Sequence, residues 1–97
     1  MIVHIVMFEF KEEGKALHIA KVKDMLENLE DKIDVLKSME VGINFTESPR
    51  AMDMSLYATF DSQEDLEIYA AHPEHQKVLE FIRSVIVTSK VVDYILE

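Results

Sequence analysis

Ninety-seven residues with 48% apolar side chains, no cysteine and a net charge of −9 describe one acidic domain, because a single core is usual at about 100 residues. That charge argues against nucleic acid and anionic membranes, which call for clustered Lys and Arg. The missing cysteines exclude a disulfide framework, a thiolate nucleophile and a cysteine metal site.

Ile2 to Phe10 alternates, with Ile2, His4, Val6, Phe8 and Phe10 on one face and Val3, Ile5, Met7 and Glu9 on the other. This is a strand, and two largely apolar faces place it centrally in a sheet with His4 buried. After the charged turn Lys11 to Gly14, apolar residues recur at spacings of three and four from Ile19 through Leu36. They predict one long amphipathic helix over 15–37, with His18 on its solvated side and without a role. A second strand is expected over 39–45, interrupted by Gly42, and a third over 53–60 after a polar loop.

Ser62 followed by acidic residues has the pattern of a helix start, and the helix should run to about Ala71. Pro73 then breaks the chain, since proline lacks an N–H and disfavours helix in the residue before it. A further helix follows, with Val78, Leu79, Ile82, Val85 and Ile86 as its apolar stripe, and a last strand is expected over 91–96. The order is that of an α+β, ferredoxin-like fold: a four-stranded antiparallel sheet with helices on one face. The other face also carries apolar side chains, so it should pack on the same face of a second copy to give a homodimer, a dimeric α/β barrel. Repeats, linkers and low-complexity segments are absent from the sequence.

The segment Tyr69-Ala-Ala-His72-Pro73-Glu74-His75 concentrates polar rings at the predicted helix junction. The bend can bring Tyr69, on the last turn of one helix, and His75, on the first turn of the next, to one pocket. Such a pair suits proton transfer beside a carbonyl: imidazole titrates near neutrality, and a phenol can hydrogen-bond the oxygen that becomes an enolate. The competing reading is structural, with His75 capping a helix or bonding a backbone carbonyl and Tyr69 packed in the core. His4 has the same two readings, as a pocket residue or as a core histidine satisfied by a polar partner. His72, His75 and Glu74 fit a metal poorly, because Pro73 breaks the helix that would align the two imidazoles, and His72 is better read as stabilising the junction. Glycine-rich phosphate loops and haem-ligating patterns are also missing, so no cofactor is expected.

Val3 to Lys11, Val41-Gly42-Ile43-Asn44, Phe60-Asp61-Ser62, the Tyr69 to His75 segment and Val92-Asp93-Tyr94 together resemble the stress-responsive A/B barrel domain (Dabb) family over essentially the whole chain. The resemblance implies a single such domain over 1–97 and a dimeric α+β barrel. It also implies a choice of function, because the family includes plant stress proteins and a plant polyketide cyclase that performs a cofactor-free aldol condensation. The cyclase's active Tyr and His match Tyr69 and His75 here, and its N-terminal His matches His4. Met54 aligns with a further pocket His of the cyclase, a departure from its pattern. The expected site is therefore a small pocket with Tyr69 and His75 as catalytic residues and His4, Phe8, His72, Met54 and Leu79 around them. Its ligand would be a small apolar or keto compound. The alternative is a non-catalytic dimeric binding or structural module of the stress response. No apolar run reaches the roughly 18–20 residues of a membrane span, and no basic region precedes the N-terminal apolar stretch. A cytoplasmic location is the corresponding expectation.

Overall fold

The alternation of the first strand decides which side of the sheet is covered. In the computed structural model, which describes residues 1–97, the elements run β1 (Ile2–Phe10), α1 (Lys15–Glu27), a short 3₁₀ turn (Asn28–Asp31), β2 (Ser38–Ile43), β3 (Met54–Phe60), α2 (Gln63–Ala71), α3 (Pro73–Val85) and β4 (Ile86–Ile95). All strand pairs are antiparallel and lie in the order β2-β3-β1-β4, with β1 central as its two apolar faces require. This is the ferredoxin-like arrangement, and none of its helices is long and apolar enough to cross a membrane.

Registers assign the faces. Phe8 stands opposite Met54 and His4 opposite Ala58, so the Ile2, His4, Val6, Phe8, Phe10 set shares a side with Met54, Leu56, Ala58 and Phe60. That side forms the core with Val22 and Leu26 of α1, Tyr69 of α2 and Val78, Ile82 and Val85 of α3. On the other side Val3 lies between Thr59 and Tyr94, and Ile5 between Tyr57 and Val92. Met7, Tyr57, Val92 and Tyr94 are exposed there, an apolar surface with no helix over it.

Two element boundaries differ substantially from the sequence expectation; β2 also stops at Ile43 rather than at 45, and Gly42 pairs with Ser55 without interrupting the strand. The helix expected over 15–37 ends at Glu27, although Leu29, Ile33 and Leu36 remain buried. Continued to residue 37, a helix would reach about 34 Å, whereas the chain has to turn back and begin β2 at the sheet edge. The backbone N–H groups of Lys32 and Ile33 both donate to the Leu29 carbonyl, and that of Lys37 donates to Thr59 on β3 at 3.0 Å. Asn28, Asp31 and Asp34 are weak helix formers that yield to this turn. The three-and-four spacing thus reported burial beyond the point where it reported helix. At the other end, α3 passes directly into β4, which starts at Ile86, five residues before the expected start at Val91. Ile86 is already extended, and the β-branched run Ile86-Val87-Thr88 favours strand.

A third difference concerns His18. It is half-buried, with its ring edge-on to Phe81 at 6.0 Å, and it packs beside Gly14. Gly14 precedes α1 with φ of 68°, in the left-handed region that favours glycine.

Candidate functional site

The helix junction is built by two caps. Ser62 accepts a hydrogen bond from the Asp65 backbone N–H at 3.1 Å and starts α2. His72 is extended, its Nδ1 accepts from the Glu74 backbone N–H at 3.1 Å, and Pro73 occupies the first turn of α3. Because α2 stops at Ala71, the carbonyl of Ala70 is left without an intrahelical donor. His75 Nδ1–H donates to it at 3.0 Å, and Gln76 Nε2–H donates to the same oxygen at 2.6 Å. The junction therefore folds His75 back over the last turn of α2, where its ring lies 4.3 Å from that of Tyr69.

His4 reaches the same place from the sheet. Strand parity points it at the helices, and its ring is 6.3 Å from Tyr69, edge to face. Directly across the β1–β4 ladder is Asp93, whose Oδ1 accepts a hydrogen bond from His4 Nδ1–H. Tyr69 packs on Phe60 on its other side, with ring centroids 5.1 Å apart.

Between these groups and the sheet is a cavity of about 210 Å³. His4, Phe8, Tyr69, His75 and Leu79 line it, so five of the seven residues singled out in the sequence converge. The other two do not. His72 spends its ring nitrogen on the α3 cap, and Met54 is buried outside the cavity wall, opposite Phe8 in the β1–β3 ladder. Sequence reasoning missed Leu26 of α1 and Ser89 of β4, which also border the cavity, because wall positions depend on packing between elements distant in the chain. It missed the role of Asp93 as well. The available signal was a lone carboxylate in an apolar strand, but pairing it with His4 required the register.

Burial governs the chemistry of both central side chains. Tyr69 is 1% exposed and its hydroxyl has no hydrogen-bond partner. Loss of water pushes its phenol pKa well up, so it stays protonated and can donate. Burial likewise lowers the pKa of His75. The Ala70 hydrogen bond opposes that shift, and the nearby His4, Arg83 and His72 reinforce it. Since a carbonyl only accepts, the proton of neutral His75 resides on Nδ1, leaving Nε2 with a lone pair. The site thus offers one donor hydroxyl and one imidazole acceptor against apolar walls. No three His, Asp or Glu side chains converge as a metal-holding set.

Comparison with known proteins agrees with the fold. The model of the family described as the stress responsive A/B barrel domain matches residues 2–96. A stress-response A/B barrel domain-containing protein of Arabidopsis thaliana is 31% identical over 80 residues, which are 82% of this chain and 30% of the plant protein. The chain therefore spans less than a third of that relative's length. A dimeric ferredoxin-like protein of unknown function from Bacteroides fragilis is 31% identical, with 96% of this chain and 93% of that one covered and a TM-score of 0.86. The hydroxynitrile lyase of Passiflora edulis superposes with a TM-score of 0.88 over 99% of this chain and 93% of its own, at 17% identity. At that identity it shares the fold alone.

Proposed function

The chain belongs to the stress-responsive A/B barrel domain family, and from that premise we propose that it is a homodimer whose Tyr69–His75 cavity carries out cofactor-free proton transfer on a small carbonyl compound. One observation carries this reading: an unpartnered Tyr69 hydroxyl and a His75 ring with a committed Nδ1 line the same apolar cavity. Buried polar groups ordinarily have partners, so a hydroxyl left without one beside an open space calls for a ligand that accepts from it.

The carbonyl oxygen of the ligand would accept from Tyr69 Oη, which acidifies the carbon next to it. His75 Nε2 would take the α-proton, and the resulting enolate oxygen would stay on the phenol. In a dicarbonyl compound the enolate carbon would then attack the second carbonyl, closing a carbon–carbon bond as that C=O π bond breaks, and the alkoxide formed would take the proton back from His75 Nε2. Apolar walls strengthen the Tyr69 hydrogen bond to the developing charge, because little water competes for it. An apolar cavity of about 150 Å³ suffices for benzene, so about 210 Å³ suits a single ring or a short chain.

The dimer rests on the uncovered sheet face. Met7, Tyr57, Val92 and Tyr94 are exposed around Val3 and Ile5, and a contiguous apolar patch of this kind favours a protein partner. The Bacteroides relative is itself dimeric. Replacing Tyr57 and Val92 together by Lys should convert the dimer to a folded monomer in sedimentation; an unchanged dimer would move the interface elsewhere.

The competing reading, a binding or structural module without turnover, draws on the tilted Tyr69–His75 contact, which is also good packing. A proton-NMR ligand screen of the purified protein against aromatic and β-keto compounds separates the two, run beside a His75→Gln, Tyr69→Phe double variant. Binding that the double variant loses supports the cavity as a site. Absence of binding to a folded protein leaves the structural module.

A further inference from the structure

The chemistry proposed above uses Tyr69 and His75 and leaves the His4–Asp93 pair unexplained. His4 lines the cavity, whereas the Asp93 carboxylate is on the edge strand β4, about half exposed and facing a groove bounded by Gln63, Leu66 and Glu67 of α2. The pair therefore bridges the cavity wall and the outside. Of the groups around the His4 ring, Tyr69 from α2 and His75 from α3 are uncharged in the site as described, and its β3 neighbour is Ala58. Asp93 is the only carboxylate that bonds the ring.

We propose that Asp93 is a positioning residue that fixes the tautomer of His4, holding the proton on Nδ1 and leaving Nε2 as a second proton acceptor at the cavity beside that of His75. A carboxylate can only accept in this bond, so the hydrogen lies on Nδ1. The second ring nitrogen faces away from the carboxylate. Which nitrogen of an imidazole carries the proton is set by the hydrogen bond the other one makes, and here the register of β1 on β4 makes that bond. His75 reaches the same state by a different partner, the Ala70 carbonyl. Two imidazole acceptors then flank one phenol donor. A ligand matched to them presents an O–H or an acidic C–H on two sides as well as an oxygen acceptor. That last consequence rests on the cavity reading above; the tautomer does not.

The test is nitrogen NMR of the imidazoles in uniformly ¹⁵N-labelled protein at mildly alkaline pH. In the wild-type protein His4 should show a protonated Nδ1 and a bare Nε2. Asp93→Val, which keeps a strand-forming side chain and removes the acceptor, should shift the ring to the ordinary mixture of tautomers. Asp93→Asn, whose Oδ1 still accepts, should retain the Nδ1–H pattern, a rescue that a mere packing role would not produce. A proton on Nε2 of His4 in the wild-type protein, or on both nitrogens, would overturn the proposal without recourse to any variant. So would an unchanged pattern in Asp93→Val. The His75→Gln, Tyr69→Phe double variant should leave the His4 pattern in place, so the failure of this inference and the failure of the cavity chemistry are read separately.

Discussion

Three imidazoles in this protein lean on aromatic rings: His4 and His75 meet Tyr69 at the candidate site, and His18 meets Phe81 away from it. His18 meets Phe81 edge-on at 6.0 Å, and His75 meets Tyr69 at 4.3 Å with the planes tilted by 42°. The rings are similar and their surroundings are not. His18 fills its space: a Cβ built on Gly14 would approach its Cε1 to 3.0 Å, Lys21 covers the Phe81 ring at 4.3 Å, and its Nδ1 is buried without a partner. His75 borders an empty volume and has one nitrogen committed to Ala70. An imidazole on an aromatic ring is thus a packing motif, and it becomes a candidate for chemistry when a cavity lies beside it and a hydrogen bond fixes its proton.

The contrast can be broken most forcefully through α1, which carries both His18 and the cavity residue Leu26. Leu26→Ala should destabilise the fold by about 2–5 kcal/mol, the range for truncating a buried leucine, and should enlarge the cavity so that bulkier ligands gain relative to single rings. Denaturant melts and the ligand screen together check this. A stability loss without any change in ligand preference would mean that the cavity is not the binding site.

Next in size is Gly14→Ala. Its φ of 68° puts an alanine in the left-handed region, where an L side chain costs about 1–2 kcal/mol, and the new methyl also presses on His18. The melting temperature should fall while ligand binding at Tyr69 stays as it was. Binding lost together with stability would show that the two regions are coupled.

A smaller effect of opposite sign is expected at the cavity. Tyr69→Phe removes a buried hydroxyl that has no partner, and relieving that penalty should stabilise the ligand-free protein by about 1 kcal/mol, read as a rise in melting temperature. Binding of carbonyl compounds should weaken in the same variant. A loss of stability would instead mean that the hydroxyl is satisfied in solution.

The smallest effect concerns pH. Burial holds the His75 pKa below the ordinary 6.5, so the unfolded chain binds more protons than the folded one between that lowered value and 6.5. The His75 contribution is complete above 6.5 and declines as pH falls from there through the folded pKa. His75→Gln should flatten this part of the stability profile relative to wild type, and identical slopes in equilibrium unfolding would contradict the assignment.

Much of this could be read from the chain. Alternation in β1 and β3, the Ser62 start and the Pro73 break gave the element order, and strand parity grouped His4 with Ile2, Val6, Phe8 and Phe10, the face that the structure turns toward Tyr69 and His75. The end of α1 was not legible, because Leu29, Ile33 and Leu36 keep a helical spacing while serving a 3₁₀ turn and a loop. Nor was the start of β4, where apolar β-branched residues continue the pattern of the helix before them. Of the two readings of His72, as a group that stabilises the junction and as a pocket residue, the cap it gives the Glu74 N–H bears out the first. The Asp93 partnership and the empty volume itself depend on register and on packing between distant elements, which no local pattern encodes.

The central claim, that Tyr69 and His75 move a proton next to a carbonyl, is tested most directly by solvent exchange. A small cyclic ketone such as cyclohexanone is incubated with the protein in deuterated buffer, and loss of its α-proton signals is followed by NMR. Exchange faster than in buffer, abolished by His75→Gln and by Tyr69→Phe in variants that keep the fold, is the result this account predicts. Exchange at the buffer rate, or an acceleration that both variants retain, would contradict it.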